Sequence, residues 1–224
     1  MSGYRRKKHR KTGQILWSMK HVLLGLLFLF VILLAIIGVT RRSRTAAAQQ
    51  TVSQAEDGRP EMDVQLLTAN EYSRPGIALE QIDGIVIHYT ANPGTSAQAN
   101  RDYFEGLKDS HATKASAHFI VGLDGEIIQC IPTAEIAYAS NERNRDTLSI
   151  ECCYENGDGS FNQATYDSVI RLTAWLCARE GLTAEDVIRH YDVTGKLCPL
   201  YYVEHPDAWE QFREDVAECM DGGR

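Results

Sequence analysis

Between residue 82 and residue 216 the apolar positions fall into two patterns: short continuous runs, and longer stretches with helical period. Ile82 to Tyr89 is a short run and predicts a buried strand ending at His88. Thr95 or Ser96 can cap a helix running to about Lys108. Phe119 to Val121 and Glu126 to Ile131 flank Leu123-Asp124-Gly125, and an Asp-Gly step between apolar runs predicts a hairpin. Leu148 to Tyr154 predicts another strand. Its alternation sets Glu151 and Cys153 on one face, Ile150 and Cys152 on the other. Thr165 to Glu180 predicts a helix, because Val169, Leu172, Leu176 and Cys177 share one stripe and Gly181 stops it. Thr183 caps a short turn before Val187-Ile188, which leads into His190. Pro206 opens a last helix through Trp209, Phe212 and Val216. Strands and helices alternate, so the expected class is α/β, with a sheet covered by helices.

The N-terminal part reads differently. Val22 to Val39 is 18 residues long and carries no charge, just enough to span a bilayer as a helix. Seven Lys and Arg precede it and three follow, which predicts a cytoplasmic N-terminus. The alternative is a cleaved signal peptide with Ala46-Ala47-Ala48 as its cleavage site. The apolar run exceeds the usual h-region of about 7–15 residues, and Arg41, Arg42 and Arg44 crowd the cleavage region. The expected organisation is a basic cytoplasmic tail (1–20), a transmembrane signal anchor (21–40), a small and polar linker (41–63) and a domain (64–220). The protein would sit in the cell membrane as a single-pass protein with its domain outside the cytoplasm.

Charge sharpens this division. Residues 1–44 hold 10 of the 23 Lys and Arg and no acidic residue. The remainder holds 13 basic and 30 acidic residues, a net charge of −17. Such a surface repels phosphates, so nucleic acid is excluded as a partner. Six cysteines occur, and the adjacent pair Cys152 and Cys153 cannot easily bridge each other. No spacing resembles a small disulfide scaffold, and the domain is large enough to fold on its own core. Mostly free thiols are expected.

The candidate chemistry lies at the strand ends. His88, His190 and Cys198 give three donors suited to Zn²⁺. Three protein ligands leave one position open for water, the mark of a catalytic site. Glu151 is acidic within an apolar strand, which is costly unless the carboxylate is paired or functional. Beside a zinc-bound water it would act as general base, then as general acid to the leaving group. Lys196, two residues before Cys198, would stabilise an oxyanion. His118 is read as a residue that backs the ligands or lines the substrate rather than as a fourth ligand, because four ligands would close the site. Tyr89, Asn92 and Asn100 are read as bordering the cleft, and His111 and His205 as surface residues.

Four motifs, in order, carry a resemblance. They are Ile87-His88-Tyr89-Thr90, the stretch Ser116-Ala117-His118-Phe119 through Asp124-Gly125, Leu148-Ser149-Ile150-Glu151, and Arg189-His190-Tyr191-Asp192 through Lys196-Leu197-Cys198-Pro199. Together they resemble the zinc-dependent N-acetylmuramoyl-L-alanine amidases of the amidase-2 type, a family similar to phage lysozyme-amidases and peptidoglycan recognition proteins. The resemblance covers roughly Ile82 to Val216. It implies a mixed sheet with helices on both faces and zinc in a groove, held by His88, His190 and Cys198. It also implies a catalytic role for Lys196. Some relatives place a catalytic Tyr where this chain has Ala117, which excludes a Tyr role there. Others use a Glu that Glu151 matches, often with Asp as third ligand where this chain has Cys198. The implied activity is hydrolysis of the amide between N-acetylmuramic acid and L-alanine in peptidoglycan; separately, a monomer is expected. Two readings compete with it: a non-catalytic peptidoglycan-binding receptor, and a zinc peptidase acting on wall peptides.

Overall fold

The computed structural model describes residues 58–222. Its centre is a six-stranded sheet made of β1 (Asp63–Val64), β2 (Ile85–Tyr89), β3 (Phe119–Val121), β4 (Ile127–Gln129), β5 (Leu148–Cys152) and β6 (Val187–Arg189). The strand order is β1-β4-β3-β5-β2-β6. Every pairing is parallel except β3 with β4, so the sheet is mixed. That one antiparallel pair is the hairpin expected from Asp124-Gly125. Gly125 takes a φ of +80°, and a Cβ there would lie 2.9 Å from the Ala164 carbonyl oxygen, so the turn needs glycine twice over.

The helices are α1 (Ala97–Ser110), α2 (Gln163–Glu180), α3 (His190–Thr194), α4 (Leu200–Glu204) and α5 (Pro206–Met220). Ser96 caps α1 by accepting from the Ala99 N–H, and Asn162 caps α2 by accepting from the Thr165 N–H. Gly181 ends α2 in the left-handed region, as its position after the apolar stripe predicts. Thr183 and Asp186 form the reciprocal cap of the short turn before β6.

Strand alternation divides the apolar residues between two cores. On one face Ile85, Ile87, Phe119, Val121, Leu148, Ile150 and Cys152 pack against α2 and α5. On the other, Ile120, Ile128 and Cys153 pack with Leu67 and with Phe104 and Leu107 of α1. Burying each large aliphatic or aromatic side chain contributes about 1.5–3 kcal/mol, so both faces of the sheet need a cover. Adjacent Cys152 and Cys153 therefore belong to opposite cores. Cys130, Cys152, Cys153 and Cys177 are all buried free thiols.

The mixed sheet flanked by helices agrees with the expected class. The membrane-spanning helix of that expectation is not among the elements described. Among the described residues no helix is long and apolar enough to cross a membrane. Residues 21–40, on which that expectation falls, lie outside the described residues. Over the described residues the fold class is α/β, with a mixed sheet between helices.

Candidate metal centre and active site

The site is assembled on the α1 face of the sheet, at the ends of its central strands. His88 and Glu151 are Cα partners in the parallel pairing of β2 with β5. The residues flanking them, Ile87 and Ile150, point into the opposite core, so the period of two turns both polar side chains to the same face. His190 follows β6 directly and is the first residue of α3. Arg189 shapes that turn: its side chain pairs with Asp192 at 2.7 Å and its backbone N–H donates to the same carboxylate at 2.8 Å. Gly195 ends α3 at a φ of +76°. The chain then doubles back, and the Tyr191 N–H donates to the Cys198 carbonyl at 2.9 Å. This closed loop returns Cys198 to the two imidazoles.

One donor atom from each of His88, His190 and Cys198 lies within 4.8 Å of the others. The Cys198 sulfur is 3.8 Å from His88 Nδ1. The two imidazole rings meet edge to face at 4.7 Å. All three residues are buried. His190 Nδ1 is buried without any hydrogen-bond partner. An orphaned buried nitrogen is costly, and a metal supplies the missing partner. Donors around tetrahedral zinc at bond lengths of about 2.0–2.3 Å stand roughly 3.3–3.7 Å apart, so the Cys198–His88 pair at 3.8 Å is close to that spacing and the widest pair must close by about 1 Å. Two nitrogens and one sulfur are also the donor types that Zn²⁺ takes. The residues therefore fit a zinc ion.

Electrostatics prepares the two imidazoles and leaves the thiol waiting. Burial, then the neighbouring His190 and Lys196, hold His88 well below the ordinary imidazole range. Burial and Lys196 lower His190 as well. Both rings are neutral near pH 7, the form that binds metal. Burial, helped by Glu151, pushes Cys198 up to about 12, against the pull of a hydrogen bond from the Tyr89 N–H and the charge of Lys196. Its proton must leave before the sulfur can ligate. Burial also pushes the Glu151 carboxyl up to about 8, and Lys196 draws it back only in part. Glu151 Oε2 is buried with no hydrogen-bond partner. Lys196 itself is exposed, and its charge reaches His88, His190, Glu151 and Cys198 alike. A cavity of about 660 Å³ near Glu61, Asp124 and Arg171 contains none of these residues.

The remaining sequence candidates lie apart from this cluster. His118 is fully buried. Its Nδ1 accepts from the Ser149 N–H at 3.0 Å and its Nε2 donates to the Glu135 carbonyl at 2.9 Å. Burial lowers it to about 4, so it is neutral near pH 7, with both ring nitrogens bonded inside the protein. Asn100 is also buried, and its amide donates to Thr95 Oγ1, the Ser96 carbonyl and the Cys153 sulfur. It secures the start of α1 rather than bordering a cleft. The Tyr89 side chain packs on Tyr154 at 5.1 Å and joins the opposite core, so Tyr89 serves the site through its backbone N–H. Asn92 and His205 are exposed, as is His111, whose ring stacks on Tyr72 at 4.3 Å.

Two residues that drew no attention in the sequence touch the imidazoles. His88 Nε2 lies 3.2 Å from Ser140 Oγ, and His190 Nε2 lies 3.1 Å from Asn141 Oδ1. They sit at the start of a 3-10 turn (Asn141–Arg145) in a polar stretch with no apolar period, and nothing in that stretch singles them out.

Known proteins are similar to this chain. The chain is 39% identical over 164 residues to N-acetylmuramoyl-L-alanine amidase CwlL of Bacillus licheniformis, matching 67% of this chain and 45% of that protein. It is 33% identical over 177 residues to N-acetylmuramoyl-L-alanine amidase BlyA of Bacillus subtilis, matching 70% of this chain and 47% of that one. The chain thus spans about half the length of these curated relatives. The solved catalytic domain of XlyA superposes with a TM-score of 0.60 at 28% identity, over 70% of this chain and 99% of that one. The family model described as N-acetylmuramoyl-L-alanine amidase matches residues 78–200, from before β2 to just past Cys198. More than half of the chain fits that model, and the chain belongs to the N-acetylmuramoyl-L-alanine amidase family, Amidase_2.

Proposed function

We propose that the domain hydrolyses the amide bond between N-acetylmuramic acid and L-alanine in peptidoglycan, with zinc held by His88, His190 and Cys198. The observation that carries this reading is the convergence of these three donors beside Glu151, the register partner of His88. Family membership and the amidase relatives support the substrate. Bound there, zinc would supply an open coordination position, a water of pKa about 7 and polarisation of the scissile carbonyl.

The chain's own residues do the rest. Burial keeps the Glu151 carboxyl protonated while the site is metal-free, and a cation bound beside it would favour the carboxylate, which takes a proton from the attacking water and returns it to the leaving amine of L-alanine. Its buried, unpartnered oxygen is free to do so. Lys196 offsets the negative charge that develops on the carbonyl oxygen. His88 and His190, already neutral, ligate without losing a proton. Peptidoglycan lies outside the cytoplasmic membrane, and we propose that the domain acts there.

The test is a digest of purified peptidoglycan with and without a chelator. New L-alanine amino termini on intact glycan, abolished by chelation and restored by zinc, are the expected result. Binding without release would instead fit a receptor, and other new termini a peptidase.

A further inference from the structure

We propose that Ser140 and Asn141 are positioning residues that fix the tautomer and orientation of the two histidine ligands. This rests on reading His88, His190 and Cys198 as a metal centre. Each imidazole has two nitrogens, and only the unprotonated one can ligate. Asn141 Oδ1 is an acceptor only, 3.1 Å from His190 Nε2. The proton of His190 is therefore held on Nε2, and the buried, unpartnered Nδ1 keeps its lone pair for the metal. Ser140 Oγ lies 3.2 Å from His88 Nε2, and a hydroxyl accepts as well as donates, so in the proposed arrangement it accepts the Nε2 proton of His88. That leaves His88 Nδ1 facing the Cys198 sulfur at 3.8 Å.

The two holders are themselves held. Asn144 Oδ1 accepts from the backbone N–H groups of Ala139 at 3.0 Å and Ser140 at 2.6 Å. Ser140 is buried, so its hydroxyl is not free to turn to solvent. Asn141 takes a φ of +53°, in the left-handed region that costs most residues energy and that Asn tolerates best after Gly. A strained backbone kept in place by neighbouring hydrogen bonds is a common sign of a site that needs one geometry. Here it turns two consecutive side chains onto two different ligands. Outer partners of this kind typically change metal affinity when removed.

The test uses the purified full chain. Zinc affinity is measured by competition with a chromophoric chelator, and the histidine tautomers of the metal-free protein by ¹⁵N NMR. Asn141→Gly keeps the backbone conformation and removes the acceptor; Ser140→Ala removes the hydroxyl. Each should weaken zinc binding about 10–100-fold. Asn141→Asp and Ser140→Thr keep an acceptor and should restore affinity close to that of the parent protein. His190 should be the Nε2–H tautomer in the parent and a mixture in Asn141→Gly. Parent-like affinity in Asn141→Gly would overturn the proposal while leaving the metal centre intact. An Nδ1–H tautomer of His190 in the parent would overturn it too, and that measurement decides the matter even if a variant fails to fold. No zinc uptake by the parent would bring down the metal centre and this role together.

Discussion

His88 and Glu151 stand side by side on adjacent parallel strands, register partners with their side chains on one face of the sheet. A metal ligand and a carboxylate with raised proton affinity are thereby held at a separation set by strand spacing rather than by a loop. Glu151→Gln keeps the shape and removes the proton acceptor. Turnover on peptidoglycan should fall about 10²–10⁴-fold with zinc content unchanged, measured by amino-terminal release and elemental analysis. Undiminished turnover would remove Glu151 from the chemistry.

The same carboxyl makes the metal-free protein sensitive to pH. In the unfolded chain Glu151 titrates near its ordinary 4.5; in the folded protein it titrates at about 8. Between those values the folded state holds a proton that the unfolded state has lost, so this group's contribution to stability falls as pH rises through that window. Glu151→Gln should therefore melt higher than the parent when both are metal-free. The gap should be small at pH 5 and should widen up to about pH 8. Paired melting curves across this range check it, and a gap that shrinks with rising pH would contradict the sign.

Cys198 makes zinc uptake a proton-releasing step. With its thiol pushed up to about 12, it enters the reaction protonated at neutral pH and must leave it as thiolate. In a Glu151→Gln background, which removes the other protonated acid, zinc binding should release one proton. Apparent affinity should rise about tenfold per pH unit, read by chelator competition. Cys198→Ala should bind zinc more weakly and lose this slope. A slope that survives in Cys198→Ala would point to a different proton source.

Lys196 is the exposed member of the set, and its charge acts on all four buried groups. Lys196→Met should lower turnover about 10²-fold, the lower end of what removing one oxyanion donor costs. Zinc content should hold. Its loss would also lift the charge that draws Glu151 down, so the acidic limb of the pH–rate profile should move to higher pH. A fall in zinc content without loss of turnover per bound zinc would make Lys196 a ligand-loop residue instead.

Several parts of this arrangement could be read from the chain alone, for reasons that differ. Glu151 stands out because strand alternation leaves it the one charged position in an apolar run. The hairpin announces itself through Asp124-Gly125. His190 and Cys198 are legible as ligands because polar and turn-forming residues surround them. Helices α3 and α4 escape such reading, since five residues are too few to establish a helical period. β1 escapes too, being two exposed residues whose pairing with β4 is settled some 65 positions away. His118 and Asn100 mislead for a related reason. A bonded, buried side chain and a substrate contact look alike in sequence, and the partners that satisfy His118, Glu135 and Ser149, come from separate segments. Ser140 and Asn141 belong to the same class, 52 and 49 positions from the imidazoles they touch.

The alternation along β5 has a consequence for how the protein recovers from denaturation. Sliding this strand by one residue would turn Glu151 away from His88. The same slide would drive Ile150 and Cys152 out of the apolar layer they share with Ile87 and Leu172. A compact but catalytically dead isomer has no packing to sustain it. Regained zinc binding on refolding should thus track regained tertiary packing point for point, and the fold serves as its own proofreader of strand register.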